Sequence, residues 1–170
     1  LGLAVRGAAR AYPIGLLDRF EVVNDDVAGR PVVVVRCALS EVASAWDRRV
    51  EGRVLLFEGT GAIWRDTLVF VDRQTRTYWS AATGLALSGP LAGRRLTGIP
   101  AVVTRADRWE EVHPDSLYLT PLTVLDPGSN STLLVSGNTY SLGISSTSLI
   151  AVNLFTGAAT TLTTNASSGF

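Results

Sequence analysis

The segment Pro31-Val32-Val33-Val34-Val35-Arg36-Cys37 restricts the fold of this chain more than any other. Consecutive β-branched residues are stiff at χ1, which disfavours helix and favours strand. A continuous apolar run of this length, opened by proline, reads as a buried strand rather than one with a wet face. Further strand-like runs follow at short spacing: Val54 to Phe57, Thr67 to Val71 and Thr77 to Ser80. Turn signals separate them at Glu51-Gly52, Gly59-Thr60-Gly61 and Asp72-Arg73-Gln74-Thr75, and Asn24-Asp25-Asp26 reads as an Asx-type turn between two strands. Gly84 and Gly89-Pro90 read as turns too. Two short helical stretches are expected, Ser40 to Asp47 with Ser40 as its cap, and Arg105 to Val112. Short strands with regular turns predict a mainly β fold, a sandwich- or barrel-like antiparallel domain with few short helices. Its core is expected from the valine run with Phe57, Phe70 and Trp79.

A second feature divides the chain. Every charged residue lies within 1–126, and 127–170 has none. The break falls at Asp126-Pro127-Gly128-Ser129-Asn130, a turn or linker signal. Beyond it, Leu133 to Val135, Tyr140 to Ile144, Leu149 to Phe155 and Ala158 to Thr164 are strand-like, punctuated at Gly137-Asn138 and Thr156-Gly157. A disordered linker lacks such residues. The expected organisation is therefore a domain over 1–126 and an uncharged C-terminal β-meander over 127–170. Exposed strand edges invite pairing, and this tail has no charged residue to guard them. Either the first domain covers the edges or a neighbouring chain does.

Composition excludes some functions. Lys and Arg together number 15, all Arg, and are matched by 15 acidic residues. A chain with no net charge is not expected to bind nucleic acid through a basic face. No run of about eighteen apolar residues is present, so no membrane-spanning segment is expected. The sole cysteine, Cys37, has no intrachain disulfide partner, and sparse Cys with no Met suits an exported protein. The absence of Met also fits a chain that does not start at its own initiator.

An ordered set of motifs carries a family resemblance. It runs through Ala9-Arg10-Ala11-Tyr12-Pro13, Glu21-Val22-Val23-Asn24-Asp25, the valine run ending in Cys37, and Ala45-Trp46-Asp47-Arg48-Arg49-Val50-Glu51-Gly52. It continues with Phe57-Glu58-Gly59-Thr60-Gly61, Asp72-Arg73-Gln74-Thr75, Trp79-Ser80, Thr83-Gly84, Gly89-Pro90-Leu91-Ala92-Gly93, and Trp109 with His113-Pro114. Over about 5–119 the chain resembles the family named domain of unknown function 3179. The resemblance implies an exported protein with no assigned reaction. It also implies a Cys-Pro-Leu-Cys-Gly motif, which here stands as Cys37-Ala38-Leu39-Ser40-Glu41. Two thiols at that spacing hold a soft metal or cycle as a disulfide. One thiol and one hydroxyl do neither well. Arg19 and Arg105 also depart from the family pattern, which has His and Trp there.

Candidate catalytic residues are Cys37, Ser40, Asp72 and His113, with Trp79 as a candidate ligand platform. A nucleophilic Cys37 needs a base, and His113 is the only histidine. One Cys and one His do not make a zinc set, so no metal and no cofactor are expected. The expected function is an extracellular, non-catalytic structural or assembly subunit, forming a homo-oligomer or filament by strand pairing through 127–170. The alternative is a degenerate thiol- or metal-dependent enzyme, or a small-ligand-binding domain, with a cleft joining those candidates.

Overall fold

A computed structural model describes residues 1–120 and, beyond them, the backbone of four strand segments. In chain order the elements are β1 Gly2–Val5, β2 Ala8–Ala11, α1 Ile14–Phe20, β3 Val22–Val27, β4 Arg30–Arg36, β5 Ala43–Asp47, β6 Arg49–Val50 and β7 Arg53–Val54. They continue with β8 Phe57–Trp64, β9 Thr67–Asp72, β10 Tyr78–Ser80, β11 Ala86–Ser88, β12 Ala101–Val102, α2 Ala106–Val112 and β13 Leu117–Thr120. The tail adds β14 Ser131–Val135, β15 Asn138–Ser145, β16 Ser148–Asn153 and β17 Ala159–Leu162. The fold is mainly β with antiparallel sheets, as the run spacing predicts.

The valine run is the middle strand of a three-stranded sheet, β3-β4-β5. Because strand side chains alternate, its valines feed two cores. Val33 and Val35 pack with Phe57, Leu68, Phe70 and Trp79. Val32 and Val34 pack with Leu3, Tyr12, Leu17 and Leu119. The first core lies against the four-stranded sheet β11-β10-β9-β8, and the second against α1 and the inner strands of the largest sheet. That sheet has the order β12-β1-β2-β13-β14-β15-β16-β17. Its pairings are antiparallel except that β13 runs parallel to both β2 and β14. The tail strands form the expected meander, hydrogen-bonded to their own domain through β13 and packed over β3 by β15.

Several local expectations are corrected. The segment from Ser40 to Asp47 is not helical: Ala43–Asp47 is β5, paired with β4 from Arg36↔Ala43 to Val32↔Asp47. A buried strand such as β4 must satisfy the backbone groups on both edges, and this pairing outweighs the local helical preference. Asn24-Asp25-Asp26 lies inside β3; the turn falls at Ala28-Gly29, both at positive φ. Gly59-Thr60-Gly61 is a bulge within β8, with Gly61 at φ 68°, and the hairpin turn is Arg65-Asp66. Leu55 and Leu56 separate β7 from β8, so Val54 to Phe57 is not one strand. The helix expected over Arg105 to Val112 is α2. The linker signal at 126–130, Gly137 and the Thr156-Gly157 turn lie outside the described residues.

Candidate functional site

Cys37 directly follows β4, where the chain turns back into β5. Its N–H donates to the Val42 carbonyl at 2.8 Å, and Glu41 closes the turn at φ 57°. Arg36 braces the turn, donating from one end to Asp18 Oδ1 at 2.9 Å and from the other to the Glu41 carbonyl at 2.6 Å. Cys37 is buried, 2% exposed. Burial pushes its thiol pKa up. The Ser40 hydroxyl and the backbone N–H groups of Ser40, Leu39 and Leu68 outweigh that and leave it below the ordinary 9.0. The Ser40 hydroxyl is buried and completes no hydrogen bond of ordinary geometry, so its influence on the nearby sulfur is electrostatic. The turn is thus an anion-favouring cup around one sulfur.

Asp72 and Trp79 meet elsewhere. Asp72 Oδ2 accepts from Trp79 Nε1 at 3.0 Å and from Thr75 Oγ1 at 2.8 Å, while Oδ1 accepts from the Thr75 N–H at 2.6 Å. This organises the Asp72-to-Thr77 turn and anchors the indole. Trp79 is fully enclosed and sits edge-on to Phe57, with ring centroids 6.1 Å apart.

His113 caps the C-terminus of α2, its ring 4.1 Å from that of Trp109. It lines three cavities around α2, and none of them is lined by Cys37, Ser40, Asp72 or Trp79. The structure therefore joins Cys37 to Ser40 and Asp72 to Trp79, with Cys37 and Trp79 in one core, while His113 stands apart. No group of three His, Cys, Asp or Glu side chains among the described residues is placed to hold a metal.

The strongest polar constellation was not among the candidates. Tyr12 is enclosed in the second core and donates to Asp25 Oδ2 at 2.7 Å; Arg10 Nε lies 3.2 Å from the same oxygen. Asp25 Oδ1 accepts the Asp26 N–H at 2.7 Å. Arg48, 1% exposed, ties the Asp25 carbonyl to the Leu55 carbonyl. Burial raises the Asp25 pKa, against the pull of Arg10 and Tyr12, and raises that of Tyr12 well above its ordinary value. Burial also lowers Arg48 to about 10. Next to Asp25, Asn24 clamps the start of β8 by accepting from the Phe57 N–H at 2.9 Å and donating to its carbonyl at 2.7 Å.

These residues all lie within residues 1–127, the stretch that one family's sequence model matches. The chain belongs to the family described as protein of unknown function (DUF3179). No curated protein and no solved structure matches it. In this DUF3179 member the family motifs do two jobs. Arg10, Tyr12, Asn24, Asp25 and Arg48 lock the strands together, and Cys37 with Ser40 forms the turn that ends the valine run. The only sequence signal for the first group was its membership of those motifs, since isolated Tyr, Asp and Arg residues read as surface.

Proposed function

We propose that this protein is an exported, non-catalytic assembly subunit whose uncharged tail extends the domain's sheet and offers its last strand to a neighbouring copy. One observation carries the reading. The tail continues the domain's own sheet through β13, and among the described residues β17 is its last strand, in a segment without a single charge. A sheet end normally carries Lys, Pro or a strong bulge to block pairing, and the sequence of β17 supplies neither Lys nor Pro. Sedimentation of the whole chain over a wide concentration range tests the reading. Species larger than the monomer are expected, and Thr161→Lys should dissolve them without moving the thermal melt. A wild-type chain that stays strictly monomeric overturns it.

A second reading rests on the Cys37 cup: a thiol-dependent or small-ligand-binding activity. Its support is the set of donors that holds the thiol pKa below its ordinary value although the side chain is buried. Rapid alkylation of the native protein near neutral pH supports this reading; labelling seen only on unfolding removes it.

A further inference from the structure

Among the described residues, β12 and β17 each have a neighbour on one side only, so the eight-stranded sheet has two open ends. We propose that the β12 edge of a second copy is the acceptor for β17, so that copies join head to tail into one continuous sheet. The proposal rests on the assembly reading and supplies its geometry.

Strand directions carry the argument. β12 is antiparallel to β1, β1 to β2, and β2 is parallel to β13 and β13 to β14. From β14 to β17 each strand reverses the last. Following these reversals, β17 runs opposite to β12. A copy displaced along the sheet by one sheet width, without being turned over, therefore presents its β12 antiparallel to β17. That is the more stable ladder of the two. Eight strands at about 4.8 Å set a repeat of about 38 Å. The contact joins two different surfaces, so it does not close on itself as a two-fold pair does and propagates as a filament.

The acceptor end has the character this needs. Val102, Val103 and Val112 are 48%, 59% and 70% exposed beside the β12 edge. A groove of about 250 Å³ lies over the β1–β12 pair next to that edge, with Trp109 in its wall. The indole lies directly on Gly2, where a Cβ would come within 2.5 Å of the ring, so the close seat depends on glycine. Two charged pairs nearby close on themselves, Arg105 with Asp107 and Arg108 with Glu111, each at 2.9 Å, while Glu110 accepts from the Tyr118 hydroxyl at 3.0 Å. The apolar edge at Val102 and Val103 suits an uncharged strand, and Ala159-Thr160-Thr161-Leu162 is one.

Two single-thiol proteins test the contact, Val102→Cys and Thr161→Cys, each in a Cys37→Ala background and each checked for an unchanged melt. Mixed and treated with a short bis-maleimide, they should give a covalent heterodimer at least tenfold above the yield of either protein alone. Val103→Arg should abolish both that product and the larger sedimenting species. If larger species persist but cross-linking is no greater in the mixture, or Val103→Arg changes nothing, the β12 acceptor is wrong while the assembly reading stands. If no larger species forms at all, both fall.

Discussion

The two faces of β4 meet cores of different kinds. On one side Val33 and Val35 join Leu68, Phe70 and Trp79 in a dry core, where the Trp79 N–H finds its partner in Asp72. On the other, Val32 and Val34 share space with Tyr12, and Asp25 stands directly across from Val32. The second core tolerates an enclosed carboxylate, phenol and guanidinium because each has partners: Tyr12 and Arg10 on Asp25, and two carbonyls on Arg48. An apolar strand thus constrains the backbone layers on both of its faces but not the chemistry opposite it.

The contrast breaks most completely at Val34, fully buried on the polar side. Val34→Asp puts a carboxylate at a fully enclosed position flanked across the sheet by Val23 and Ala45. The unpaired charge should cost on the order of 4 kcal/mol or more. No cooperative melt is expected, and a soluble protein with a wild-type transition would show that the strand is misplaced. Tyr12→Phe is the next largest step. It leaves Asp25 Oδ2 with Arg10 alone and should cost about 1–3 kcal/mol by chemical denaturation. An effect below about 0.5 kcal/mol would mean that the network does not act as a unit.

Asp25 sharpens the comparison through pH. Its folded pKa is raised above 3.8, so the folded state holds the proton more tightly than the unfolded chain. Its contribution to stability is full below 3.8 and is lost as pH rises through the folded value. The melting-temperature difference, wild type minus Asp25→Asn, should therefore fall across that window and then level off. A difference that grows with pH would reverse the sign of the burial effect.

What could be read from the sequence follows from how local each signal is. The valine run, the Asp72-to-Thr75 turn and the tail meander depend on residues within a few positions of one another, and all are found. Helix α1 was hidden behind Pro13 and Gly15 and buries only Leu17, too little for a periodic pattern. β5 was lost because its pairing with β4 is tertiary, while Ser40 imitates a helix cap. The β8 bulge looked like a turn because both use glycine at positive φ. The Tyr12–Asp25 bond and the Asn24–Phe57 clamp span 13 and 33 residues, and no short motif announces them. The Cys37–Ser40 pair was legible as a spacing. Its donors from Leu39 and Leu68 were not, because Leu68 reaches it from another sheet.

The smallest expected effect belongs to that pair, on the dry side of β4. Ser40→Ala removes one hydroxyl from a half-buried turn and should hardly move the melt. Its consequence lies in the thiol. Without the Ser40 donor the Cys37 pKa rises, less thiolate is present at pH 7, and alkylation by iodoacetamide slows. At high pH both proteins are thiolates and the rates should converge. The two routes of labelling give opposite results. A thiol reached directly in the folded cup shows this slowing and convergence. A thiol reached only when the turn opens has already left Ser40 behind, so Ser40→Ala leaves its rate unchanged or raises it. Parallel rate-against-pH curves for wild type and Ser40→Ala therefore decide whether the cup tunes a reactive sulfur or merely seats a buried one.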